Sequence, residues 1–176
     1  MLMTTSTLTP NPTLTIRTAT ESDYAEIGRI TVDAYIDAGH FDDREHPYLQ
    51  FVQEVAKRHE TTEILVAERE GIVIGAVTMV RAGTEYADIA RENELEFRML
   101  VIDPVVQRSG AGRALLRAVI DRAREIEDVD TVSLTTGGHW MAARALYEVE
   151  GFDHVTERDW FVPDTDIVLV VYTLTL

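Results

Sequence analysis

Gln107-Arg108-Ser109-Gly110-Ala111-Gly112 is a glycine-containing segment that separates an apolar stretch from an amphipathic one. The apolar stretch runs from Leu95 to Ile102, ends at Asp103-Pro104 and predicts a buried strand. After the glycines, apolar residues recur at helical spacing and predict a helix: Leu115, Leu116, Val119, Ile120, Ala123 and Ile126. A glycine turn between a strand and a helix leaves backbone N–H groups uncovered at a positive helix end, which suits phosphate oxygens.

Two other phosphate-binding motifs do not match this turn. A nucleotide P-loop ends in Gly-Lys-Ser/Thr, whereas Gly112 is followed by Arg113 and Ala114. The dinucleotide fingerprint needs a third Gly or Ala where Leu115 stands. Glycines also begin many helices for geometric reasons alone. The turn by itself therefore leaves phosphate binding and plain helix initiation both open.

A second motif follows the turn: Ala143-Arg144-Ala145-Leu146-Tyr147-Glu148-Val149-Glu150-Gly151-Phe152. Gln-x-x-Gly-x-Gly after a strand ending Val-Ile-Asp-Pro, joined with Ala-x-x-Leu-Tyr-x-x-x-Gly-Phe, resembles the GNAT superfamily of acetyl-CoA-dependent N-acetyltransferases. The motifs cover residues 95–155, and the order of elements extends the resemblance over residues 13–176. The resemblance implies one acetyltransferase domain over that range.

The rest of the pattern predicts further elements around these motifs. They are a strand at Leu14–Arg17, a helix capped by Thr20 and Asp23, a helix from Pro47 through Ala56, a hairpin around Glu70-Gly71, a strand at Val132–Leu134, a helix at Met141–Val149 that ends at Gly151, and a final hairpin of Phe152–Trp160 and Ile167–Leu176. This order predicts an α/β (α+β) fold with one mostly antiparallel mixed sheet and helices on both faces. The resemblance to the GNAT fold implies six to seven strands in a single central sheet.

Composition narrows the class of protein. A chain of 176 residues is the size of one domain, and it contains no cysteine, which excludes disulfides and a cysteine acyl-enzyme. Residues 1–12 are rich in Thr, Ser and Pro and lack basic residues, so we expect a disordered tail rather than a signal peptide. No apolar run approaches the roughly 20 residues that span a bilayer. We therefore expect a cytoplasmic enzyme with no membrane partner.

The charge balance is strongly acidic. Thirty-one acidic residues against sixteen basic ones give a formal net charge of −15. A field of this sign repels nucleic acids, whose binding requires neutralisation of phosphates, so we expect no nucleic-acid partner. This argument also disfavours an enzyme that acetylates charged transfer RNA. Solubility and attraction of cationic amines both remain explanations of the charge.

The resemblance assigns an acetyl-CoA site and no metal. It implies that the cofactor phosphates contact the turn residues Gln107, Arg108, Ser109, Gly110, Ala111, Gly112 and Arg113. It also implies that the pantetheine arm pairs with the strand at Leu100, Val101 and Ile102, where the Val101 N–H would polarise the thioester carbonyl. The histidines at 40, 46 and 59 lack the spacing of metal ligands.

Two residues are candidates for the proton transfers. By resemblance, Tyr147 is the general acid that protonates the leaving thiolate, and Glu96 is the general base that takes the amine proton directly or through water. Glu96 lies on the Leu95–Ile102 strand, on the same face as Ile102. A tyrosine packed in the core and a solvated acidic segment are the alternative explanations of these two residues. One departure from the family is Trp140, which stands where many members carry an Asn.

The acceptor has no visible motif, because contacts in this fold come from loops. A small amine or a peptide amine is expected, and a cationic one would be attracted by five carboxylates that lie close together: Glu85, Asp88, Glu92, Glu94 and Glu96. By resemblance, a homodimer through the C-terminal strands is expected. The competing function is a non-catalytic CoA-binding sensor or scaffold on the same fold, against which Tyr147 argues.

Overall fold

One twisted sheet of eight strands organises the chain, and the computed structural model describes residues 13–106 and 108–176. The elements in chain order are β1 Leu14–Thr18, α1 Tyr24–Asp37, α2 Pro47–Gln53, α3 Val55–His59, β2 Glu63–Arg69, β3 Ile72–Arg81, β4 Glu94–Ile102, α4 Ala111–Arg124, β5 Thr131–Gly137, α5 Met141–Val149, β6 Asp153–His154, β7 Trp160–Phe161 and β8 Val168–Thr175. The predicted tail, residues 1–12, and Gln107 lie outside the described residues.

The sheet is mixed and mostly antiparallel, as predicted. Its strand order is β1-β2-β3-β4-β5-β8-β6, with β7 also paired to β8. Only β4 and β5 run parallel, and every other pair is antiparallel. The strand count exceeds the expected six to seven because a helical turn at Thr156–Arg158 splits the predicted Phe152–Trp160 strand into β6 and β7. Both pieces pair with β8.

Helices cover both faces of the sheet, and the alternating side chains of β2 show which helices cover each face. Leu65 and Ala67 belong to the core cluster that α4 and α5 cover, whereas Ile64 and Val66 belong to the cluster that α1 covers. Successive side chains of a strand point to opposite faces, so one apolar strand serves two cores. The predicted arrangement of helices on both faces is confirmed.

Local signals in the sequence set most element ends. The Thr20 N–H donates to Asp23 Oδ2 at 2.7 Å within a complete capping box. Gly151 has φ of +95° directly after α5 and its C-cap residue, the left-handed geometry that favours glycine. One prediction is wrong in detail: the helix from Pro47 breaks at Glu54, whose ψ of 61° is not helical, and continues as α3.

The helices of the described residues are too short or too polar to span a bilayer. The longest, α1 and α4, have 14 residues each.

Candidate active site

The parallel strands β4 and β5 separate part of the way along their length. They pair only where Glu94–Glu96 faces Thr131–Ser133. Beyond that point β4 continues along β3 to Ile102, and β5 continues along β8 to Gly137. Each strand stays paired with its outer neighbour after the pairing between β4 and β5 has ended, so a wedge-shaped space lies between them. We call this space the β4–β5 opening.

A bulge in β4 accompanies the separation. Arg98 faces Thr78 and Val101 faces Ala76, so two β4 residues, Met99 and Leu100, oppose the single residue between them on β3. Met99 has φ of +53°, which is uncommon for a residue with a side chain. A bulge bends its strand, and this one begins three residues beyond the last β4–β5 pair.

The register determines which backbone groups face the opening. The Asp103 N–H donates to the Ile74 carbonyl at 2.8 Å, toward β3. Because hydrogen-bonding direction alternates along a regular strand, the polar groups of Val101 also face β3 and those of Ile102 face the opening, while Leu100 lies in the bulge and has no register partner on β3. The Val101 N–H, expected at the thioester carbonyl, is therefore directed to β3. Leu100 and Ile102 are the candidates in its place.

The glycine turn begins α4 beside the opening. Gly110 is the N-cap residue with φ of +81°, and the Ala111 N–H donates to Ser109 Oγ at 3.4 Å. The N–H groups of Gly112 and Arg113 have no acceptor within the part of the chain that the structure describes. Free N–H groups in the first turn of a helix can bind a phosphate, as the motif predicted.

The two arginines of the turn differ in availability. Arg113 Nε lies 2.8 Å from Glu150 Oε1, and Arg117 holds the other oxygen of that carboxylate at 2.9 Å. Arg108 is exposed and forms no ion pair with any described residue. Arg108 is therefore the better placed of the two to add charge to a bound phosphate.

Tyr147 lies at the apex of the opening. Its ring centroid is 5.9 Å from that of Phe97, the first β4 residue beyond the last β4–β5 pair. The residue is 7% exposed, and burial raises the pKa of its hydroxyl far above the ordinary value. No described residue forms a hydrogen bond with this hydroxyl. It is thus held protonated and is available to donate.

Glu96 is fully buried and holds a loop. Its Oε2 accepts the backbone N–H groups of Asp88, Ile89 and Ala90, each at 3.0 Å. Burial raises the pKa of the carboxyl, while these hydrogen bonds and Arg98 oppose the rise. The side chain shares its face of β4 with Arg98. Its carboxylate therefore positions the loop before β4, whatever part it plays in proton transfer.

The carboxylates around Glu96 do not form the open acidic cleft that the sequence suggested. Asp88 lies 2.9 Å from Arg98, and Glu94 lies 2.7 Å from Arg158. Glu85 pairs at 3.6 Å with Lys57. With these charges offset within the chain, the structure does not support attraction of a cationic acceptor at this place.

An aromatic cluster on the α1 side of β4 has no signal in the sequence. Its five rings contact one another in series, with centroids 5.3 to 6.2 Å apart, and they are Tyr35, Phe41, Tyr48, Phe51 and Tyr86. Four of them, all except Tyr86, pack against the core cluster of α1 and α2 that contains Met99. We call this set the aromatic cluster. The residues come from three separate segments, and only the packing of α1 on α2 brings them together.

Trp140 takes a specific place at the end of β5. Its ring stacks on His40 with centroids 3.6 Å apart, which joins the α1–α2 loop to the start of α5. A Cβ on Gly137 would lie 2.5 Å from the Trp140 ring, so glycine is required there. Burial lowers the pKa of His40, with His139 contributing. No group of metal-ligating side chains lies among the described residues.

The splayed parallel pair, the helix-initiating turn and the tyrosine at the apex make up the candidate active site. Residues 15–152 match the model of the Acetyltransferase (GNAT) family. The chain belongs to this family.

A protein of known name that matches part of the chain is an N-acetyltransferase. Over 67 residues the chain is 43% identical to the [ribosomal protein bS18]-alanine N-acetyltransferase of Escherichia coli K12, a match of 38% of this chain and 45% of that protein. The alignment thus spans less than half the length of that curated relative.

Solved structures show the same fold over nearly the whole chain. A Salmonella typhimurium protein solved with its cofactor acetyl-CoA has a TM-score of 0.69 at 20% identity, covering 93% of this chain and 94% of that one. The ribosomal-protein-alanine N-acetyltransferase of Brucella melitensis has a TM-score of 0.70 at 23% identity, covering 92% and 99%. At such identities the likeness concerns the fold alone.

Proposed function

We propose that the protein transfers an acetyl group from acetyl-CoA to a primary amine, of a small molecule or a peptide, by direct attack within a ternary complex. The observation that carries this proposal is the β4–β5 opening with the unpaired Tyr147 hydroxyl at its apex. The absence of cysteine from the sequence removes the most common acyl-enzyme nucleophile for a thioester and favours direct attack.

The residues around the opening suit acetyl-CoA, which supplies an acetyl group activated as a thioester. The N–H groups of Gly112 and Arg113 would hold phosphate oxygens, with Arg108 adding charge. Backbone groups of Leu100 and Ile102 would bind the amide-containing arm. The Leu100 N–H is the proposed donor to the thioester carbonyl, where a fixed dipole stabilises developing negative charge.

Two side chains would move the protons. The Tyr147 hydroxyl is the proposed donor of a proton to the departing sulfur, because it lies at the apex of the opening and has no hydrogen-bond partner among the described residues. Glu96 is the proposed base for the amine, and it acts through a water molecule because its oxygens already accept loop N–H groups. Its raised pKa makes it a stronger base than an ordinary carboxylate.

Gly110→Glu should weaken acetyl-CoA binding by about tenfold or more, as measured by calorimetry. The φ of +81° disfavours any side chain, and a carboxylate at the turn repels phosphate. Gly83→Glu is the matched control, because Gly83 has φ of +82° with nothing within 4 Å and lies beyond the far end of β3. Equal affinity in a folded Gly110→Glu protein would remove the turn from the site.

Turnover tests the proposal as a whole. Purified protein, acetyl-CoA and a panel of amines should release free thiol and yield an acetylated amine detectable by mass. A peptide that begins with alanine belongs in the panel, because the curated relative is named for an alanine acceptor. Binding of acetyl-CoA without turnover on any amine would instead favour the sensor function.

A further inference from the structure

Arg58 is a buried cation without a carboxylate partner. It lies on α3, is 1% exposed and donates from Nη1 to the Val52 carbonyl at 2.6 Å. Its Nε is buried and has no hydrogen-bond partner, and no ion pair joins it to Asp or Glu in the described ranges. A buried guanidinium normally pairs with a carboxylate or phosphate, because its desolvation is otherwise uncompensated.

A second unpaired polar group lies in the same place. Tyr86 is 1% exposed, and its hydroxyl is buried without a hydrogen-bond partner. Burial lowers the pKa of Arg58, and the nearby Arg98 lowers it further. The hydroxyls of Tyr35, Tyr48 and Tyr86 oppose this lowering. The Arg58 Nε and the Tyr86 hydroxyl, at the inner side of the aromatic cluster, thus both lack acceptors. Buried donors without acceptors are rare in a native interior, so this pair requires a specific explanation.

The unpaired donors lie on the acceptor side of the proposed reaction. Arg98 donates from Nη1 to the carbonyl of Tyr86 and projects from β4 two residues after Glu96. The cluster therefore adjoins the face of β4 that carries the proposed base. An amine near Glu96 would extend its other end along the half-exposed rings of the aromatic cluster toward Arg58.

The chemistry of these donors matches a carboxylate. A guanidinium and a tyrosine hydroxyl each donate to carboxylate oxygens, and a charged acceptor strengthens both hydrogen bonds. The aromatic cluster offers apolar walls for the body of such a molecule. A cationic acceptor would instead meet Arg58, which has no carboxylate partner among the described residues, as a like charge.

We propose that the acceptor is a free amino acid with an apolar or aromatic side chain, and that Arg58 and the Tyr86 hydroxyl bind its carboxylate. Arg58 thereby sets acceptor specificity. This inference rests on the proposed function and names the acceptor class of the same site.

Matched acceptor pairs test the inference on the wild-type protein. The kcat/KM for acetylation is measured for L-phenylalanine against phenethylamine and for L-leucine against isopentylamine, each amine lacking only the carboxylate. We expect the amino acid to be favoured by about tenfold to a hundredfold, the range of a charge-assisted hydrogen bond. L-Phenylalaninamide tests whether an amide can replace the free carboxylate. Two peptides that begin with alanine, one with a neutral and one with an aspartate second residue, test whether an acidic side chain can replace it.

Variants assign the preference to residues. Arg58→Met should bring the amino acid to amine ratio close to one, and Tyr86→Phe should lower it by about threefold to tenfold. Lys57→Met is the control, because it removes the same charge from the adjacent, exposed position of α3 and should keep the ratio. If Arg58 only fixes the Val52 carbonyl, Arg58→Met lowers stability and leaves the ratio unchanged, which overturns the inference. If Arg58→Met does not fold, the inference is tested by the matched acceptor pairs on the wild-type protein and by the ratio measured for Tyr86→Phe.

The outcomes separate this inference from the proposed function. Equal or better turnover of the amine, the amide or the neutral peptide would overturn the inference alone. No turnover with any acceptor would overturn the proposed function and the inference together.

Discussion

Tyr147→Phe should lower kcat by about a hundredfold or more, the usual contribution of a positioned general acid. The substitution removes only the hydroxyl, so the ring should keep its contacts with Phe97, Phe152 and Tyr172. The affinity for acetyl-CoA should change little, because the groups proposed to bind it are backbone groups of the turn and of β4. Steady-state thiol release and calorimetry measure the two quantities.

The stability of this variant is part of the same expectation. The Tyr147 hydroxyl forms no hydrogen bond within the described residues, so thermal unfolding should shift little. Tyr24→Phe is the control, because it removes a hydroxyl that bonds to His59 Nδ1 at 2.8 Å on α1, away from the opening. Turnover at the wild-type level in Tyr147→Phe would mean that Tyr147 only packs in the core.

Glu96→Gln should lower kcat by about a hundredfold, because an amide cannot accept the amine proton. The pH profile is the decisive measurement. Burial raises the pKa of Glu96, so wild-type activity should fall as the pH drops through that raised pKa and the base becomes protonated. The variant should lack this acidic limb.

The same raised pKa has a consequence for stability. The folded protein binds a proton at Glu96 more tightly than the unfolded chain does. The stabilisation that this proton contributes to the folded state is therefore lost as the pH rises through the folded-state pKa. Glu96→Gln should remove that dependence. Urea unfolding at several pH values measures it.

A purely structural Glu96 would give a different result. Gln offers one oxygen to three loop N–H groups, so the loop of Asp88 to Ala90 would loosen and the acceptor KM would rise. The acidic limb of the pH profile would then persist in the variant. Glu92→Gln is the control, because Glu92 is an exposed acidic residue of the same loop.

Short-range signals were enough to predict most of the fold. Helix α5 spans Met141–Val149, as its motif and spacing indicated, and the β2–β3 hairpin turns at Glu70-Gly71 as expected. Both depend on interactions between residues near in sequence: a helical apolar face, a left-handed glycine and a tight turn. The glycine turn at Gly110 was visible for the same reason.

The sequence by itself thus determined the class of protein and the mixed sheet, and it supplied the candidate site residues. Only the tertiary structure decided which backbone groups face the β4–β5 opening, because the bulge at Met99 and the pairing of Asp103 with Ile74 set the register across separate strands. It alone also showed that Glu96 is buried against a loop and that the Arg58 Nε and the Tyr86 hydroxyl are buried without hydrogen-bond partners. Register, burial and the pairing of charges depend on contacts between residues far apart in the chain, and a local pattern carries no record of them.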